Sequence, residues 1–129
     1  MPYRAPVGEF QFLFDKVVGL DQVRATDRFC EATPDLTEAI LTEAGRMCEE
    51  VLAPLQRAGD LMPARLENGV VRCSPGFDEG YKAIAEGGWM SIAADPAYGG
   101  MGLPMTITTA VNEMMSSLAA PCQIGRAHV

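Results

Sequence analysis

Few side chains in this sequence are placed to do chemistry. Glu113 stands within an apolar run and is followed by Met114 and Met115. Such a carboxylate is either a helix-surface group, the usual fate of glutamate, or a polar group at the edge of a ligand pocket. Thioethers adapt to flexible apolar ligands, so Met114 and Met115 suit the wall of an acyl-chain cavity; helix core is the alternative for each. Gly99-Gly100-Met101-Gly102 invites comparison with a phosphate-binding loop. A dinucleotide fingerprint needs its third glycine where Met105 stands, and a P-loop needs a Gly-Lys-Ser or Gly-Lys-Thr that does not follow. The glycines are therefore read as backbone that needs positive φ or close packing. No serine, cysteine or lysine has a base beside it for nucleophilic catalysis. The four cysteines, at 30, 48, 73 and 122, lack zinc-type spacing. They are read as reduced thiols, with Cys48 a small core residue.

The only histidine is His128, in the tail Gln123-Ile124-Gly125-Arg126-Ala127-His128-Val129. Ile-Gly-Arg-Ala-His-Val can be encoded by ATC GGA AGA GCA CAC GTC, which resembles a common short-read sequencing adapter. Residues 123–129 are accordingly set aside as an adapter-derived tail. The remaining chain then holds no imidazole, and the natural gene is expected to continue.

Composition sets the class. Apolar residues make up 48% and charged residues 21% of the 129, enough for one small domain with a core. The formal net charge of −7 argues against nucleic acid as a direct partner, because phosphates would be repelled. No apolar run reaches membrane-spanning length, and the first residues lack the apolar stretch of a secretory signal. A cytoplasmic location is expected.

Helices must position these groups. Phe10, Leu13, Phe14, Val17 and Val18 recur at helical spacing, with Gly19 as a stop. Asp21–Ala32 is ambiguous. Thr33 as cap and Pro34 at the first turn open a helix over roughly 34–53, ended or kinked by Pro54. Leu36, Ile40, Ala44, Met47, Cys48, Val51 and Leu52 form its apolar face. Residues 59–72 read as a connection, with a tight Asn68-Gly69 turn and a short extended piece at Val70-Val71. Ser74-Pro75 opens the next helix, Phe77, Tyr81 and Ile84 form its buried face, and Gly87-Gly88 closes it. After the run Trp89–Ala93 comes a turn-rich loop, Asp95–Pro104. There Gly99 or Gly100 is expected at positive φ, and Tyr98, Met101 and Leu103 serve as anchors. The last helix starts near Pro104 with a stripe of Ile107, Ala110, Val111, Met114, Met115 and Leu118. The fold class is all-α with at most a small strand pair.

These features come in a telling order. Val51-Leu52-Ala53-Pro54 closes a long helix, and Gly87-Gly88-Trp89 and a short run follow. Then come Asp95-Pro96-Ala97-Tyr98-Gly99-Gly100-Met101-Gly102-Leu103 and a helix carrying Asn112-Glu113-Met114-Met115. The ordered set resembles the N-terminal helical domain of acyl-CoA dehydrogenases, truncated before the central β domain. Tyr3-Arg4-Ala5-Pro6-Val7, Phe12-Leu13-Phe14 and Ala32-Thr33-Pro34-Asp35-Leu36 are similar to an extended bacterial subgroup that includes the 3-methylmercaptopropionyl-CoA dehydrogenase-like enzymes. The implied organisation is an N-terminal extension over 1–32 with one helix, and a partial helical domain over 33–122.

The resemblance implies a parent enzyme that oxidises an acyl-CoA thioester between its α and β carbons. FAD would be held largely by a central β domain, and a glutamate in a C-terminal bundle would be the base. Electron-transfer flavoprotein would be the redox partner of a homo-oligomer. It implies an acyl-cavity wall at Glu113 and Met114 and a structural loop at Tyr98, Gly99, Gly100 and Gly102. It assigns no catalytic, cofactor-binding or metal residue to this chain, which alone is expected to bind no FAD and to be inactive. A free-standing helical interaction module is the alternative reading.

Overall fold

In the computed structural model, which describes residues 2–124 and the side chains of 2–118, helices follow one another with a single hairpin between them. Residues 125–129 of the adapter-like tail, with His128, lie outside the described residues, as does the side chain of Cys122. Helix α1 (Val7–Phe12) runs on as a π-helical segment, Leu13–Val18, and stops at Gly19, whose φ of 68° is left-handed. Phe10 and Phe14 are buried with ring centroids 6.5 Å apart. The rest of the expected stripe is not buried: Val17 is 67% exposed, and Leu13 and Val18 are also at the surface. The wider π turn rotates positions 17 and 18 off the face that the two phenylalanines define. The ambiguous stretch resolves into α2 (Leu20–Arg24) and a 3-10 turn, Asp27–Phe29.

Helix α3 (Pro34–Met47) starts as its capping residues dictate: the Leu36 N–H donates to Thr33 Oγ1 at 3.3 Å. Ile40, Leu41, Ala44, Cys48 and Leu52 face the core. Leu36 does not; it is exposed, and Thr37, one position on, is the buried residue of that turn. Pro54 does not end the helix either. The chain passes through a π turn, Cys48–Leu52, and continues as α4 (Ala53–Leu61). An interior proline lacks an N–H and crowds the carbonyl four residues back; a local π register gives the ring room and lets the helix go on. Residues 59–61, expected in a connection, are therefore helical.

Strands β1 (Arg65–Glu67) and β2 (Val70–Arg72) pair antiparallel, with Leu66 opposite Val71. Asn68 at φ 51° and Gly69 at φ 77° are both left-handed, as a type I′ two-residue hairpin requires. Helix α5 (Phe77–Glu86) departs from the sequence reading at its start. The cap position belongs to Gly76, and Ser74 is a buried residue whose carbonyl accepts from the Phe77 N–H at 3.2 Å. Its buried face is Phe77, Gly80 and Ile84, while Tyr81 is 46% exposed. A Cβ on Gly80 would lie 2.5 Å from Leu55 Cδ1, so the bare backbone is the notch that receives Leu55 of α4. At its far end Trp89 N–H donates to Ile84 and Gly88 N–H to Ala85, the paired bonds of a Schellman closure.

Helix α6 (Met105–Ile124) packs on α3, the 48–52 turn, α4 and α5. Ile107, Ala110, Val111, Met114, Met115 and Leu118 are all buried, so the expected stripe is the centre of the core. No helix among the described residues is long and apolar enough to cross a membrane.

Candidate functional site

The direction of α6 is set by the loop before it. The Met101, Gly102 and Leu103 N–H groups donate to the carbonyls of Ser91 (3.0 Å), Ala94 (2.9 Å) and Ile92 (3.0 Å). The loop thus folds back on the short apolar run, and Ile92 and Leu103 enter the core together. Asp95 caps the 3-10 turn Pro96–Tyr98 by accepting from the Ala97 N–H at 2.8 Å. Gly99 then turns left-handed at φ 83°, and Gly102 does so at φ 66°. Gly100 has ordinary φ but no clearance: a Cβ there would lie 2.0 Å from the Ala94 carbonyl oxygen. Gly99 and Gly102 are thus needed for their left-handed backbone, and Gly100 for its close approach to Ala94. Tyr98 is 90% exposed and anchors nothing, because the 3-10 turn points it outward; of the three expected anchors only Leu103 is buried.

On the outer side of α6, Glu113 is exposed, while its neighbours Met114 and Met115 are core residues. The carboxylate borders two hollows. One is a trough of ≈ 400 Å³ between the first helix and α6, walled by Leu13, Phe14, Val18, Met105 and Ala110. The other, of ≈ 230 Å³, lies under the N-terminal arm and touches Tyr3, Arg4, Met114 and Ser117. Phe10 and Glu113 border both. The structure thus brings Glu113 and Met114 together and keeps them apart from the glycine loop at the start of the helix.

The arm itself was not legible as part of this region. Glu49, on the π turn, accepts from the Ala5 N–H at 2.9 Å and pairs with the Arg4 guanidinium at 3.2 Å. The Ala5 methyl fits over Gly45, where a Cβ would stand 2.7 Å away. Tyr3 is hydrogen-bonded to Ser117 of α6. Burial raises the Tyr3 phenol above its ordinary range, with the carboxylates of Glu49 and Glu113 adding; the Ser117 hydrogen bond opposes the shift. Beneath the arm, burial pushes the Cys48 thiol up to about 12, aided by Glu49. A thiol held neutral is inert, which fits a packing role.

A flavin dinucleotide is a poor match to these residues. Its pyrophosphate calls for cations or convergent N–H groups, whereas the trough ends in a carboxylate and the nearby Arg4 is paired with Glu49. Among the described residues no group of three or more His, Cys, Asp or Glu could hold a metal ion.

No family model matches the chain. Over 117 residues it is 38% identical to the 3-methylmercaptopropionyl-CoA dehydrogenase of Ruegeria pomeroyi, a stretch covering 91% of this chain and 20% of that protein. Over 113 residues it is 27% identical to the broad-specificity linear acyl-CoA dehydrogenase FadE5 of Mycobacterium tuberculosis, covering 86% of this chain and 18% of that protein. The chain belongs to the acyl-CoA dehydrogenase family. It spans about a fifth of the length of the curated acyl-CoA dehydrogenases it matches. The helical architecture of the described residues agrees with an N-terminal acyl-CoA dehydrogenase domain.

Proposed function

We propose that this chain is the N-terminal helical part of a longer enzyme that oxidises an acyl-CoA thioester between its α and β carbons. The observation that carries this is the 38% identity to an acyl-CoA dehydrogenase over 91% of the chain. In this reading residues 1–32 are an extension and 33–122 part of the helical domain. The base and the flavin site lie in the remainder of the longer protein. FAD bound there supplies the acceptor for the β-hydride.

The chain's own residues bind and orient. The trough beside α6 offers apolar walls to the acyl tail and sheds water on contact with it. Glu113 marks the polar end of that wall. We do not assign it as the base: it is an exposed side chain, and the resemblance puts the base in the remainder of the longer protein. The glycine loop fixes the line along which α6 presents the wall. A cytoplasmic homo-oligomer that passes its electrons to an electron-transfer flavoprotein completes the proposal.

Titrating FAD into the 129-residue chain while following flavin fluorescence tests the division of labour. No saturable micromolar binding is expected. The longer protein should purify yellow and reduce an acceptor dye when acyl-CoA is added. Stoichiometric flavin binding by the short chain would defeat the proposal.

A further inference from the structure

We propose that the hairpin Arg65–Arg72 is a docking face for a later segment of the same longer chain, which covers Leu66 and Val71 with apolar side chains. This rests on the reading above that the chain is one part of a longer enzyme. Successive strand residues point to opposite faces. The pairing therefore puts Leu66 and Val71 on one face and Arg65, Glu67, Val70 and Arg72 on the other. That alternation belongs to a sheet with one dry and one wet face. The wet face is in place, with Arg65 paired to Glu67. The dry face is open: Leu66 is 72% exposed and Val71 66%. Leu61 and Met62, which lead into β1, are exposed as well. Among the described residues no hydrogen bond ties either strand to a helix. A two-stranded hairpin on its own is marginal in water and holds only when one face is packed.

The cover is not among the described residues, and the chain spans about a fifth of the length of the acyl-CoA dehydrogenases it matches. The rest of such a protein is left to supply it. A segment of the same chain is held near the hairpin by its own backbone, so it docks without the loss of free translation that a separate partner meets. A second copy is the weaker occupant, because two copies of this part, each of net charge −7, repel. The face fixes the chemistry of the segment: apolar side chains seated across Leu66 and Val71, with the arginines left in water.

Thiol labelling of the longer protein tests this. Leu66→Cys and Val71→Cys each put a thiol on the dry face, and Val70→Cys puts one on the wet face. Trypsin cuts after Arg65 and Arg72, so mass spectrometry reads each new thiol apart from Cys73. The two dry-face thiols should react with a maleimide about tenfold or more slower than the wet-face thiol, because the face must open first. Equal rates on the two faces, in a longer protein that melts cooperatively, overturn the proposal. A photoreactive benzophenone carried on the slow Leu66→Cys thiol should then crosslink to a peptide beyond residue 129, in a product of single-chain mass on a denaturing gel. A product of twice that mass makes a second copy the cover and overturns the assignment. Acyl-CoA oxidation by the same samples tests the dehydrogenase reading separately. A longer protein that shields the dry face but oxidises nothing supports the docking and overturns only the chemistry.

Discussion

Gly99 and Gly100 are adjacent, yet alanine should cost different amounts at the two. At Gly99 a Cβ meets nothing within 4 Å, and the penalty is conformational, from φ 83°. A left-handed L-residue costs about 1–2 kcal/mol. At Gly100 the added carbon would sit 2.0 Å from the oxygen and 2.3 Å from the carbon of the Ala94 carbonyl. That carbonyl also accepts from Gly102 N–H at 2.9 Å, and Gly100 N–H donates to Asp95 at 3.1 Å. Relief needs a backbone shift that breaks at least one of these bonds. Overpacking of about 1–3 kcal/mol and a lost hydrogen bond of about 1 kcal/mol put Gly100→Ala near 3 kcal/mol. Urea denaturation followed by the fluorescence of Trp89, the only tryptophan and close to this loop, reads both variants. A Gly100→Ala variant as stable as Gly99→Ala would refute the close-approach account of the loop.

Further outcomes follow from the rest of the structure. Glu49→Ala should free the arm at a cost of about 1 kcal/mol and speed tryptic cleavage after Arg4, measured by mass spectrometry. Thr33→Ala removes the α3 cap and should lower stability by about 1 kcal/mol in the same urea titration. At neutral pH a thiol reagent should label exposed Cys30 and Cys73 well before buried Cys48. The Cys48 thiol keeps its proton up to about 12 in the fold, against an ordinary value of 9.0. Its contribution to stability is therefore complete below pH 9.0 and lost as pH rises toward 12. Cys48→Ala should flatten that part of a pH-dependent melt.

What could be read ahead was local and periodic. The α6 stripe, the Asn68-Gly69 turn and the Gly87-Gly88 closure each depend on residues within a few positions of one another, and all are present. Pro54 reads as the end or a kink of the helix, and it does not end it; the π turn that lets the helix go on is a tertiary accommodation with no short-range signature. Ser74 misled because Gly76, two residues on, offered a left-handed start that packs against Leu55. Spacing alone placed Tyr81 and Leu36 inside, each one position away from the residue that is buried, Gly80 in the first case and Thr37 in the second. The region around Glu113 was half legible. The helix and its glutamate could be named, but the arm reaches it through Glu49, 44 residues from Ala5, and no pattern links residues so far apart.

The central claim is that this chain is one part of an acyl-CoA-oxidising enzyme. The most direct measurement is mass spectrometry of acyl-CoA incubated with an electron acceptor and either the longer protein or the 129-residue chain. The account predicts a product lighter by two hydrogens with the longer protein and unchanged substrate with the chain alone. A flavin-loaded longer protein that leaves every acyl-CoA intact, or a short chain that forms the product by itself, would contradict it.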